Sequence, residues 1–477
     1  MTQEPRQPDQ HGPFGRRTFL RGALTAAALV PLAGPLAACS SPSGGGSGSS
    51  SGPKSATNPF GLKDGSSVEA VIFNGGYGYD YVTFATTQVK KQKGFEGVKF
   101  KVSPSTQIAQ ELQPRFAGGN PPDLIDNSGA GIIGFNTIAD QLETLDDVFA
   151  ADNYEGTKIE DTLYPNAKAT GTYDGRFVGL NYVMTLYAVW YSASLFEENG
   201  WTPPKTWDEA LDLGAKAKAK GKHLWVWGKE AATYYRTLAI DSAAKEGGDE
   251  VRLALENLEP KAWSHPAIQG VFKVLGEMVK QQMFVPGGAG TQFTAAQAKW
   301  SNDQQALLYA SGSWIENEMK KATKSGFKMT GFPEMTLTDN PKMPYESLRA
   351  AAGEGYIVPT KAKNPAGGKE ILRAMLSKQA ATNFTKTRLA PTIVKGTIPS
   401  DGFGSTALLS QSKMLDAAGS NVFNYQFYDY YGLDADQLVV WNSFLSGHTD
   451  VAGLTKGMQE ISDKVANDSS VKKLKIT

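Results

Sequence analysis

The spacing of apolar residues predicts an α/β protein of two domains, built on a parallel sheet. Three observations lead there. Between residues 68 and 126, three short apolar runs alternate with two amphipathic stretches. That β-α-β-α-β rhythm places helices on both faces of a sheet. About 420 residues follow Pro59, enough chain for two sizeable cores. Further strand-like runs, some leading into helix-start signals, continue as far as Val358.

The chain opens with Gly15-Arg-Arg-Thr-Phe-Leu-Arg21 and an apolar run from Ala23 to Ala38, ending in Leu36-Ala-Ala-Cys39. The arginine pair resembles a twin-arginine export signal, and the run is too short to span a bilayer. Cys39, the single cysteine, stands where a lipobox carries its acylated residue. Two or three acyl chains, at about 0.8 kcal/mol per buried methylene, hold a protein at a membrane surface. Residues 1–39 are thus expected to be a lipoprotein signal with Cys39 lipidated. Residues 40–59, rich in Ser and Gly, are expected to be a tether because they cannot bury enough apolar surface to fold. Gly48-Ser-Ser-Ser-Gly52 matches a hydrolase elbow in letters only, with no strand before it.

Val68–Phe73 reads as the first strand and ends in the turn Asn74-Gly-Gly-Tyr-Gly-Tyr79. Val98–Val102 and Pro121–Asp126 follow as strands, with a helix at Gln107–Ala117 between them. Arg176–Val183 and Ala188–Tyr191 read as two strands. Thr206-Trp-Asp-Glu209 fits a capping box that starts a helix ending at Gly221. Leu224–Trp227, Ala306–Tyr309 and Tyr356–Val358 read as strands. Ser313 and Glu316 fit a second capping box, Lys369–Phe384 reads as a helix, and the tail from Leu438 reads as helical. Residues 242–262 and 395–420 show no clear pattern.

Four of 48 basic and two of 48 acidic residues precede Cys39, so the remaining chain carries a net charge near −2. That balance argues against nucleic acid as a partner. His223, His265 and His448 are isolated, and no metal or cofactor is expected. Gly129-Ala-Gly131-Ile-Ile-Gly134 matches a dinucleotide fingerprint but follows too short a strand. It reads better as a Gly-rich loop at a cleft edge. Asp123 and Asp126 sit at a strand end, where solvated or capping roles are usual.

Aromatic residues carry more information. Tyr77, Tyr79 and Tyr81 crowd one turn, Trp225 and Trp227 end one strand, and Trp314 opens a helix between small residues. Phe423, Tyr425, Phe427, Tyr428, Tyr430 and Tyr431 share one short segment. Aromatic faces with polar edges suit sugars, although such residues also fill cores. Core is the expected place for Trp225, Tyr191 and Trp441, and a site is the expected place for Trp314.

Asn74–Tyr79, Pro122-Asp-Leu-Ile125, Trp190-Tyr-Ser-Ala-Ser-Leu-Phe196, Pro203-Pro-Lys-Thr-Trp-Asp-Glu209 and Gly312-Ser-Trp314 occur in the order seen in a known family. The chain resembles the extracellular solute-binding proteins of carbohydrate ABC transporters, the group that includes maltose binders. Gly312-Ser-Trp-Ile-Glu-Asn-Glu-Met319 and Trp441-Asn-Ser-Phe-Leu-Ser-Gly447 are similar to actinobacterial binders of N-acetylglucosamine and N,N′-diacetylchitobiose. The resemblance implies a two-lobed periplasmic-binding-protein-like fold with a ligand cleft between lobes. It places lobe 1 at 60–184 and 345–405, and lobe 2 at 185–344 and 406–477. Hinge crossings are expected near Val183–Tyr187, Pro344–Ala352 and Ser400–Ser412. Closure on ligand would then favour the form that a membrane permease recognises.

Compared with maltose binders, Tyr77 replaces a charged residue of the first turn and Thr185 replaces an acid at the first hinge. Asn127-Ser128-Gly129 replaces an Asp-Arg pair, while Trp314 matches a stacking tryptophan. These changes remove charge and point to an amide-bearing sugar instead of maltose. The expected ligand contacts are Tyr77, Tyr79, Asn127, Thr185, Tyr187, Trp227, Trp314, Tyr428 and Tyr430. The expected protein is a monomer without enzymatic activity, attached to the outer membrane face and partnered by ABC permease subunits. A tethered polysaccharide hydrolase with an unrecognised acid pair is the alternative.

Overall fold

The computed structural model describes residues 52–476, apart from residues 130, 165 and 166. The export signal, Cys39 and the tether up to Ser51 lie outside the described residues. The last tether residues, 53–59, run along the globular body, where Arg373 donates to the Thr57 carbonyl at 3.1 Å.

The strands β1 (Ser67–Phe73), β2 (Lys99–Ser105) and β3 (Leu124–Asp126) run parallel in the order β2-β1-β3. The helices Asp80–Lys90 and Ile108–Ala117 connect them, as the alternation predicts. A two-residue pair, β4 (Thr172–Tyr173) and β5 (Arg176–Phe177), forms a small hairpin. The two runs read at 176–183 and 188–191 are largely one long strand, β6 (Leu180–Ser192). Next come β7 (His223–Trp225), β8 (Ala306–Gly312), β9 (Met329–Phe332), β10 (Leu348–Ile357) and β11 (Val422–Phe423).

Among the described residues nine of these strands form one sheet with the path β2-β1-β3-β10-β6-β8-β7. Two of them make the architecture. From Leu180 to Leu186, β6 pairs antiparallel with β10, and from Tyr187 to Tyr191 it pairs with β8. The other end of β10, at Tyr356 and Ile357, pairs with β3. Both strands therefore pass from one lobe, holding β1–β3, to a second, holding β7–β9. Lobe 1 has a core around Ile72, Val82, Tyr182, Tyr356 and Phe384; lobe 2 has one around Trp207, Trp225, Trp263 and Trp441. Large apolar side chains buried this fully contribute about 1.5–3 kcal/mol each before entropy is subtracted. No helix among the described residues is long and apolar enough to cross a membrane.

Local signals explain several helix boundaries. The Thr206 hydroxyl accepts from the Glu209 amide at 3.3 Å, and the Glu209 carboxylate accepts from the Lys205 amide at 2.6 Å. The helix read at 369–384 is two, Pro365–Met375 and Lys378–Arg388, with Ser377 capping the second. Residues 242–262 belong mainly to the helices Thr233–Gly247 and Asp249–Glu256. The first is buried on nearly every side and includes buried Arg236, Asp241 and Lys245, so it has no apolar stripe to read. The capping box read at Ser313 does not form: the helix Ile315–Met319 starts later, without a side-chain cap. The Ser313 hydroxyl instead accepts from the Leu186 amide at 3.3 Å and lies 3.4 Å from the Tyr77 hydroxyl.

Gly368 shows how closely lobe 1 is packed. It lies inside the helix Pro365–Met375, and a Cβ there would overlap the Asp123 carbonyl oxygen. Alanine in a helix interior ordinarily gains about 0.5–1 kcal/mol over glycine. Overlap with backbone at the start of β3 costs about 1–3 kcal/mol. Gly368→Ala is therefore expected to lose about 1–2 kcal/mol in urea unfolding, against the direction helix propensity predicts.

Candidate functional site

In open α/β sheets the carboxyl ends of parallel strands form the crevice where ligands bind. In lobe 1 those ends lead into Asn74–Tyr79 after β1 and Asn127 after β3; in lobe 2 they lead into Val226–Gly228 after β7 and Ser313-Trp314 after β8. Of these, the turn after β1 and Ser313-Trp314 meet each other beside Leu186 of β6.

The meeting point is aromatic. The Trp314 indole stands edge-on to Tyr187, with ring centroids 5.6 Å apart, and packs against Tyr234 at 5.6 Å. Gly76 of lobe 1 lies against the Trp314 side chain, where an added Cβ would come within 3.3 Å. Asn317 donates to the Gly76 carbonyl oxygen. Tyr77 is buried against Phe384, and its hydroxyl reaches Ser313. Burial pushes the Tyr77 phenol well above its usual range, so it remains a neutral hydroxyl. Trp314 itself is partly exposed.

Beneath this group lies a polar floor on the crossing strands. Thr185 of β6 fits beside Gly353 of β10, in space that a Cβ at 353 would take. Asp126, at the end of β3, accepts from Ser128, whose hydroxyl accepts from the Gly355 amide at 2.7 Å. Facing Asp126 is Glu354, which burial and the Asp126 charge hold well above the carboxylate range. Next to Tyr187, the buried Arg349 guanidinium lies 4.3 Å from the Tyr187 ring and 4.1 Å from the Tyr425 ring. One of its nitrogens donates to the Tyr428 hydroxyl. The phenol of Tyr425 donates to Asp241 at 2.8 Å.

Of the predicted contacts, the structure brings together Tyr77, Thr185, Tyr187 and Trp314, with Tyr428 joined to Tyr187 through Arg349. Tyr79 packs at the edge of the lobe 1 core. The Asn127 side chain makes two bonds to Ile133, from Nδ2 to the carbonyl at 2.9 Å and from the amide to Oδ1 at 2.8 Å. It thus closes the Gly-rich loop. Trp227 lies in the lobe 2 core with its indole against Gly288. Tyr430 stacks with Tyr173 at 5.6 Å in a separate cluster.

Sequence reasoning missed Tyr234, Ser313 as a bridging hydroxyl, Arg349 and Glu354. Of the two strand-end acids, Asp123 accepts from the Glu69 and Asn364 amides beside the start of the helix Pro365–Met375, while Asp126 is fully buried instead of solvated. A usable signal existed for Glu354. It is one charge between two glycines in the otherwise small and apolar run Ala350–Val358.

A cavity of about 430 Å³ lies along β6 and β10, and none of the aromatic group lines it. Val183 and Met184 of β6, Ala350 of β10, Thr170, Glu256 and Gln426 are among its lining residues. Its volume falls in the range of small-molecule sites.

Comparison with known proteins fits this geometry. The sequence model of the family described as bacterial extracellular solute-binding protein matches residues 72–382. The diacetylchitobiose binding protein NgcE of Streptomyces coelicolor is 66% identical over 469 residues, covering 98% of this chain and 99% of that protein. Among solved structures, a chitin oligosaccharide binding protein superposes with a TM-score of 0.66 at 18% identity, over 84% of this chain and 99% of that one. The sugar-binding protein MalE of Xanthomonas citri superposes with a TM-score of 0.63 at 16% identity, over 83% and 98%. At such identities these structures speak for the two-lobed fold alone.

Proposed function

Since this chain belongs to the bacterial extracellular solute-binding proteins, we propose that it captures N,N′-diacetylchitobiose and related N-acetylglucosamine sugars and delivers them to an ABC permease. The observation that carries the ligand is 66% identity over nearly the whole chain to a diacetylchitobiose binding protein. The site chemistry agrees with it. The partly exposed Trp314 indole offers a flat apolar face to a pyranose ring. The Tyr77, Thr185 and Ser313 hydroxyls around it suit a neutral, amide-bearing ligand.

Lobe closure over the sugar gives the permease its signal, since only a state with extra ligand contacts gains population. The protein acts as a lipidated monomer, exported through its arginine-pair signal and held by Cys39 at the outer face of the cytoplasmic membrane. Its role is binding without chemistry. Titrating the protein with diacetylchitobiose should change the tryptophan fluorescence saturably, because Trp314 lies at the site. Prolonged incubation with chitin oligomers should release no shorter products. Product release would favour the hydrolase reading.

A further inference from the structure

We propose that Glu354, seated by Asp126 and Ser128, accepts the acetamido N–H of the bound sugar and so sets the preference for N-acetylated ligands. This rests on the sugar-binding reading above and assigns a residue to it.

The backbone gives the first reason. Glu354 has φ +55°, in the left-handed region that a side chain enters at a cost of about 1–3 kcal/mol unless the surroundings hold it there. Ser128 Oγ takes the Gly355 amide, and the Asn127 amide donates to the Gly355 carbonyl at 2.8 Å. Lobe 1 thus grips the strand one residue beyond the strained position. Glycine would adopt this conformation freely. A glutamate there needs a use for its carboxyl.

The second reason is hydrogen bonding. Glu354 is 7% exposed and Asp126 is fully buried, yet Glu354 Oε2 and Asp126 Oδ2 both lack a donor. Two buried carboxylate oxygens facing one another are satisfied together by one proton held between them. Glu354 keeps that proton, which leaves its other oxygen as a neutral acceptor. The ionisable groups around it are Asp126 of β3, Tyr77 and Tyr81 from the first turn and helix, and Tyr356 on its own strand. The three phenols stay protonated, so no second charge competes.

The third reason is position. Glu354 adjoins Gly353, which packs against Thr185 on the polar floor, and the Tyr77 hydroxyl meets Ser313 beside Trp314. An acetamido group needs an acceptor for its N–H and a donor for its C=O. Glu354 supplies the first, and the hydroxyl pair Tyr77–Ser313 can supply the second. A neutral acceptor also lets the lobes close without sealing a bare carboxylate against the ligand.

The test is calorimetric titration of the full-length protein, as wild type, Glu354→Gly and Glu354→Gln, with diacetylchitobiose. Glu354→Gly relieves the strained backbone, so its melting temperature should not fall, while its affinity drops by about tenfold or more. Glu354→Gln keeps a neutral acceptor and can donate to Asp126, so it should recover most of that loss. Wild-type affinity should decline toward alkaline pH, where the pair loses its proton, and the Gln variant should not follow. A folded Gly variant that binds within about twofold of wild type overturns the assignment. So does a Gln variant as weak as the Gly variant. Wild type that ignores acetylated sugars would overturn the sugar-binding reading, and this inference with it.

Discussion

Trp314→Ala is expected to weaken diacetylchitobiose binding by about 10–100-fold, the loss of about 1.4–2.7 kcal/mol. The indole is fixed edge-on by Tyr187 and Tyr234 and touches Gly76 of the opposite lobe. A ring held this way loses little entropy when it stacks on a sugar, so most of its contact free energy reaches the complex. Removing it also deletes a cross-lobe contact and should favour the open form. Trp314→Phe keeps an aromatic face and should lie between alanine and wild type. Melting temperature should move little, because Trp314 is only partly buried. Unchanged affinity in the alanine variant would remove Trp314 from the site.

The second large effect concerns pH. Glu256 is 2% exposed, and burial pushes its carboxyl from the usual 4.5 up to about 7, with the Gln426 amide bond offsetting only part of that. Burial likewise raises Glu316 to about 7. For a raised carboxyl the native state keeps a proton that the unfolded chain has released. Stability from such a group is fully present below pH 4.5 and declines as pH rises to about 7. A shift of this size is worth about 3 kcal/mol for Glu256 at most. Glu69, which Arg115 holds below the usual range, works in the opposite sense and loses its contribution only in stronger acid. Scanning calorimetry should therefore find a higher melting temperature near about pH 5 than near about pH 8. Glu256→Gln should flatten that slope. A melting temperature that rises between these two conditions would contradict the assignment.

Much of the fold is legible in the chain because its information is local. The three parallel strands of lobe 1 are short apolar runs separated by amphipathic helices, and Thr206 with Glu209 starts a helix by satisfying its own end. Legibility fails where tertiary demands override local preference. Ser313 and Glu316 have the letters of a capping box, yet Ser313 is held by Leu186 and Tyr77, and Glu316 accepts from Ser405. The helix Thr233–Gly247 carries buried charges, so its periodicity vanishes. Asp126 reads as an ordinary strand-end acid until Glu354, 228 positions later in the chain, is folded against it. The aromatic part of the site could be read from Trp314 and the tyrosine-rich turn. Its polar floor could not, because Thr185, Asp126 and Glu354 become neighbours only when the crossing strands pair.

Isothermal titration of the soluble form lacking residues 1–39 against N-acetylglucosamine, diacetylchitobiose, maltose and cellobiose tests the central claim most directly. Saturable one-to-one binding of the acetylated sugars is expected, with maltose and cellobiose silent. Binding of maltose or cellobiose in preference to diacetylchitobiose, or silence across the whole panel in a folded sample, would contradict it.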